Sequence, residues 1–212
     1  PLKKVARAGT HPAGRLKALC TLDGLDQLSA EVLQHSLGDE HPAVRRHAVR
    51  LSERRLNESP ELGAAVLQRT EESDPQVLLQ VAYTLGEWDD PRSGQALGRM
   101  LADHAGEEYV VAAAMSSISR ENMADVLKGV AAAAEGGAQT AELMEPLLNL
   151  AAALEEARSL AMLLAIVTKP GDEGYARWQY AALAAALEQF SANASSLEAL
   201  QRDGGEDFAE VL

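Results

Sequence analysis

Apolar residues recur at steps of three and four along the first 130 residues of the chain. They form four sets: Leu16, Leu19 and Leu22; Val44, Ala48 and Leu51; Val77, Val81 and Leu85; Val111, Met115 and Ile118. That spacing places each set on one face of a helix. Each set follows a short opening: His11-Pro12, His41-Pro42, Asp74-Pro75 and, without proline, Glu108-Tyr109, whose second residues stand 30, 33 and 34 positions apart. Proline suits the first helical position, where its missing N–H would have no intrahelical partner, and Asp74 is a good N-cap. A second apolar-periodic run follows each first one, over Ser29 to Leu37, Pro60 to Thr70, Pro91 to Leu101 and Glu121 to Val130. Two helices per roughly 32 residues, stacked, predict an all-α α-solenoid. No segment alternates with period two, so no sheet is expected.

Glu135-Gly136-Gly137 breaks the pattern. Adjacent glycines cannot sustain a helix cheaply, each costing about 1 kcal/mol relative to alanine. The expected division is 1–135, about four helical hairpins, and 136–212, a less regular helical cap continuing the same solenoid. Within the cap, Ala141 to Val167 reads as helix interrupted at Pro146 and re-bent near Glu155-Glu156, and Lys169-Pro170-Gly171-Asp172 ends it. A further helix is expected over Tyr175 to Phe190, and Ser195 to Leu212 reads as a helix, a Gly204-Gly205 turn and a short last piece.

Three openings carry a family resemblance. His11-Pro12-Ala13-Gly14-Arg15, His41-Pro42-Ala43-Val44-Arg45 and Asp74-Pro75-Gln76-Val77, the last followed by Leu85-Gly86-Glu87 and Asp90-Pro91-Arg92, look like HEAT repeats. With the closing Trp178-Gln179-Tyr180-Ala181-Ala182-Leu183, the chain resembles the repeat segment of large membrane-bound dehydrogenase-like proteins of planctomycetes. That resemblance implies a β-propeller before the repeats, a c-type cytochrome domain after them, and a periplasmic or secreted setting. Leu78 and Ala112 stand where the first two repeats have Arg15 and Arg45, so the arginine that ties one repeat to the next is expected in only half of them.

Charge narrows the functional classes. Residues 1–60 carry a formal +3, 61–120 carry −6 and 121–212 carry −10. Nucleic acid is bound by clustered Lys and Arg that release counterions, so this balance argues against a general nucleic-acid binder and against an anionic membrane surface. Cys20 is the only cysteine, which excludes an internal disulfide, and it is expected to be a small buried hydrophobe. No apolar run is long enough to span a membrane, and no signal-peptide pattern opens the chain. The chain begins at Pro1 without Met and reads as a domain excised from a longer protein.

Candidate chemistry is sparse. His11, His35, His41, His47 and His104 include no pair at the spacing of four that puts two imidazoles on one helical face, and no CxxCH occurs. No metal, haem or other cofactor is therefore expected. Adjacent carboxylates at Glu71-Glu72, Asp89-Asp90, Glu107-Glu108 and Glu155-Glu156 suit caps and solvated turns rather than acid–base pairs across a cleft. Arg46, Arg50 and Arg54 line up at steps of four, either as an anion- or partner-binding ridge or as an ordinary solvated face. Trp88 and Trp178 read as buried anchors, with an exposed binding aromatic as the alternative.

The expected function is a non-catalytic scaffold that holds a protein or a neighbouring domain of the same parent chain. The second helices of the repeats are expected to form the partner-binding face, with Gln34, Gln68, Arg69, Gln95, Arg99 and Lys128 as its outward polar residues. No small-molecule substrate is indicated. A HEAT-like enzyme of the DNA-glycosylase or bilin-lyase type and a pure structural spacer stay open as alternatives.

Overall fold

The computed structural model describes residues 1–135, 140–170 and 174–192. Among these, every element is helical: α1 Leu2–Ala8, α2 Pro12–Gly24, α3 Ala30–Leu37, α4 Pro42–Ser52, α5 Pro60–Leu67, α6 Pro75–Gly86, α7 Pro91–Asp103, α8 Glu108–Ser116, α9 Met123–Glu135, α10 Ala141–Ala153, α11 Ala157–Thr168 and α12 Arg177–Ala192. Short 3-10 turns over Glu53–Glu58 and Gln68–Glu71 extend α4 and α5. The chain is thus an all-α stack of HEAT-like hairpins with a less regular helical C-terminal region.

The helix starts follow from proline plus a side-chain acceptor. The amide of Ala43 donates to His41 Nδ1, those of Gln76 and Val77 donate to the Asp74 carboxylate, and that of Arg92 donates to Asp90. Proline stands first in α2, α4, α5, α6 and α7. Two layers result: α2, α4, α6 and α8 pack side by side in one, and α1, α3, α5, α7 and α9 form the other. The buried apolar residues form one cluster running from Ala6 through Leu19, Val49, Leu85, Leu101 and Leu147 to Ala186.

A hairpin of this kind cannot cover its own apolar face, so the next repeat must be held in register. Arg15, buried at 5% exposure, donates from Nε and Nη2 to Asp39 at 2.6 and 2.7 Å and from Nη1 to the Gly9 carbonyl at 2.9 Å. One repeat later Arg45 donates from Nε and Nη2 to Glu72 at 2.7 and 2.9 Å, and from Nη1 to the Asp39 carbonyl at 2.8 Å. Each arginine thus reaches the turn before the following repeat. Glu72 is therefore no solvated turn residue: its side chain is only 6% exposed and it anchors a repeat junction.

Beyond the third repeat the device is gone from both sides. Leu78, buried, takes the place of Arg45, and the matching acid position is Ala105. The fourth repeat also begins one residue earlier than the sequence reading placed it. Helix α8 starts at Glu108, so Glu108 and not Tyr109 corresponds to Pro75, and Val111 rather than Ala112 stands in the arginine position. Val110 and Ala114 then fill the core places of Val77 and Val81, which is what fixes the register.

Two further expectations change, one holds and one helix is new. Helix α1, not foreseen, packs on α2 and α3. Pro146 lies inside α10 without interrupting it. The re-bend is at Glu155, which takes φ 53°, with the Glu156 amide donating to the Ala151 carbonyl. That pairing is a Schellman closure with glutamate in the place usually held by glycine. Cys20 is partly rather than fully buried, against the core. Gly136-Gly137 and the Ser195 to Leu212 tail lie outside the described residues. Helix α11 packs on α9, and the Arg120 guanidinium donates to the Glu155 carbonyl.

Two outcomes follow. Burial pulls the Asp39 carboxyl upward, but hydrogen bonds from Arg15 and the His41 amide outweigh it and hold it below its ordinary range; Arg45 does the same for Glu72. A depressed carboxyl stabilises the fold fully above its unfolded pKa and loses that contribution as pH falls through the folded value. Glu72→Gln is expected to cost about 3 kcal/mol at neutral pH by stranding the Arg45 charge. It should also flatten the loss of stability below about pH 5; urea midpoints across pH check both, and a profile parallel to the wild type would contradict the ladder's role. Separately, a chain ending at Glu135 is expected to expose the Met115 and Ile118 face and to aggregate in gel filtration. A monomeric, cooperatively melting fragment would instead mark the C-terminal helices as a separate unit.

Candidate functional site: the groove along helix seven

Helix α7 is held against α9 by an absence of side chains. A Cβ on Gly98 would lie 2.1 Å from the Val126 carbonyl oxygen, and one on Gly129 would lie 2.1 Å from the Gln95 carbonyl oxygen. The two backbones are therefore in direct contact, while Leu97 and Leu101 of α7 and Met123 and Val126 of α9 are fully buried beside them. At the start of α7, Trp88 is buried at 4% exposure as the sequence reading expected, its six-membered ring occupying the space where Gly63 of α5 lacks a side chain. The Ser93 hydroxyl donates to the Trp88 carbonyl at 2.9 Å. Trp178 is a partial anchor, half-buried against the core.

The other flank of α7 is open. Between it and the end of α5 with its 3-10 turn runs a groove of about 550 Å³, lined by Leu67, Gln68, Thr70 and Glu71 on one wall and Arg92, Gln95, Ala96, Arg99, Met100, Asp103 and His104 on the other. Arg92, Gln95, Arg99 and Asp103 follow the i, i+3, i+7, i+11 stripe of one helical face, about 16 Å long at 1.5 Å per residue. Leu67, Ala96 and Met100 supply apolar surface between the polar groups.

Not all of the polar groups are available. Arg92 donates twice to Asp90, at 2.8 and 2.7 Å, and its guanidinium lies 5.0 Å from the centre of the Trp88 ring. Those hydrogen bonds lower the Asp90 pKa and raise that of Arg92. The Thr70 hydroxyl donates to the Leu67 carbonyl, and His104 Nδ1 lies 2.8 Å from Glu107. Among the described residues the side chains of Gln68, Gln95 and Arg99 make no hydrogen bond or ion pair with the protein. Two carboxamides and one guanidinium thus converge on one groove with donors and acceptors free.

Of the six residues singled out from sequence, Gln68, Gln95 and Arg99 line this groove. Gln34 stands apart on α3, Arg69 turns toward the Leu37 carbonyl at 3.4 Å, and Lys128 on α9 pairs with Asp125 at 2.8 Å. The apolar Ala96 and Met100 and the charged Glu71 and Asp103 were not anticipated. The polar stripe of α7 was the available signal for Asp103, and nothing in the sequence revealed that α5 would leave that stripe uncovered.

Among the described residues, no three His, Cys, Asp or Glu side chains group so as to hold a metal ion, Cys20 is a free thiol, and no helix is long and apolar enough to cross a membrane. Gly98→Ala is expected to pry α7 from α9 and to destabilise the chain by about 2 kcal/mol, read as a lower urea midpoint. An unchanged midpoint would mean that the close approach is not required.

Residues 29–119, from α3 through α8, match the family model of HEAT repeats. Neither the curated proteins nor the solved structures compared with the chain gave a match. The two layers, the arginine–carboxylate junctions and this match together identify a HEAT-repeat-like helical domain spanning part of the chain.

Proposed function

We propose that the protein is a non-catalytic scaffold that holds a protein segment, or a neighbouring domain of its own parent chain, in the groove along α7. The observation that carries this reading is the convergence of uncommitted Gln68, Gln95 and Arg99 over the apolar Leu67, Ala96 and Met100. A carboxamide offers both a donor and an acceptor, which matches the paired N–H and C=O of a backbone laid alongside it. A wall held by backbone contact with α9 needs little reordering to bind, and that lowers the entropic cost of association.

A parent protein of the dehydrogenase and cytochrome type, with a periplasmic or secreted location, belongs to this proposal and rests on the resemblance of the repeat openings and of Trp178 to Leu183. The encoding gene tests it: a propeller upstream and a CxxCH downstream would support it, and their absence would remove it.

The groove is tested by placing a photo-crosslinking amino acid at Ala96, with Ala112 on the opposite layer as control. Ala96 is expected to give one discrete adduct in the host cell, reduced at least fivefold by Gln95→Glu with Arg99→Glu. Identical products from both positions, or none from Ala96, would favour a spacer that binds nothing there.

A further inference from the structure

The chain treats its arginines in two ways. Arg7, Arg15, Arg45 and Arg55 each pair with a carboxylate across a repeat junction. Arg50 and Arg54 are exposed and, among the described residues, have no such partner; Arg46 contacts only the carboxamide of Gln76, and exposed Lys17 has no ion pair. In a chain of net charge −13, three arginines at steps of four with no ion pair call for explanation.

Helix register brings them together. Helices α2, α4 and α6 pack side by side, with Arg46 at Gln76 and Glu53 accepting from Gln80 at 3.2 Å and from Thr84 at 2.8 Å. Arg50 lies between those two junctions. Tyr83, 49% exposed, stands on α6 one turn beyond Leu79 and two beyond Gln76. Burial, and then the charges of Arg50 and Arg46, push the His47 imidazole below its ordinary value, and Arg50 also acts on the Glu53 carboxylate. Glu53 stands between Arg50 and Arg54, turned to Gln80 and Thr84 of α6, where the charge of Glu87 also reaches it.

We propose that this face, built by Arg46, Arg50 and Arg54, binds a short extended acidic segment of a partner protein in which carboxylates alternate with apolar residues. Arginines four apart advance about 6 Å along an α-helix and up to about 8 Å where the turn is 3-10. Side chains two apart on an extended strand advance about 6.6 Å, so every second residue meets an arginine. The residues between point to the opposite face of the strand, so apolar side chains there bring no further charge to the ridge. The ridge spans only about 12 Å from Arg46 to Arg54. A continuous polyanion would run off it onto the acidic remainder of the chain, whereas a short acidic segment fits within it. This face is on the opposite layer from the α7 groove and does not depend on the reading given to that groove.

The test uses the full 212-residue chain and fluorescence anisotropy with three labelled probes of equal charge. These are a peptide alternating Glu with Val, a peptide of the same composition with its glutamates contiguous, and a single-stranded oligodeoxynucleotide. The alternating peptide is expected to bind best and to weaken with salt. Arg50→Glu with Arg54→Glu should weaken it at least tenfold without changing circular dichroism or the melting temperature, while Arg99→Glu in the groove leaves it within twofold. No binding of the alternating peptide, equal binding of all three probes, or sensitivity to Arg99→Glu in place of Arg50→Glu would each overturn the assignment.

Discussion

Everything in this molecule depends on how one helical hairpin is locked to the next, because no hairpin of this size buries its own apolar face. In the first repeats the lock is a buried guanidinium–carboxylate pair, Arg15 with Asp39 and Arg45 with Glu72. Such a pair is not a large net source of stability, since desolvating two charges offsets most of their attraction. It does exact a penalty for any other register, which would leave the charge buried and alone. From the third repeat onward the charges are replaced on both sides of the junction, and α7 meets α9 through Gly94, Gly98 and Gly129 instead. The change of lock has a functional consequence: α7 is drawn close to α9 and away from α5, and the groove is the space left behind.

The fold was largely legible because its signals are local. Proline with a preceding acceptor marks a helix start by a mechanism that does not depend on tertiary context, and four helices, α4 to α7, begin that way. Where that signal fails, the reading slips. Without a proline at the fourth opening, Tyr109 was aligned with Pro75, although core packing of Val110 and Ala114 sets Glu108 there. The sequence reads Pro146 as a break, yet it stands in the middle of α10, a helix that runs on to Ala153.

The candidate site was half legible for a different reason. Gln68, Gln95 and Arg99 are outward polar positions, and helical period alone finds them. Which outward positions share a groove is decided by the distance between two helices, and here Trp88 against Gly63 and the α7–α9 backbone contact set that distance. Arg69 and Lys128 have the same sequence character as Arg99 but bend toward partners of their own. Arg46, Arg50 and Arg54 show the converse: their alignment is visible in sequence, while their lack of ion pairs becomes visible only once the neighbouring helices are in place.

The central claim is that α7 is a rigid wall of one continuous stack, so that the groove exists before any partner arrives. Hydrogen exchange of the full chain, read by mass spectrometry on fragments covering each helix, tests it most directly. The account predicts that the amides around Leu97 and Leu101 exchange as slowly as those of α4, α6 and α9, all opening together in one global event. Exchange in α7 that runs many times faster than in α6 and α9 would contradict it, because the groove would then be a fluctuating surface shaped by whatever binds.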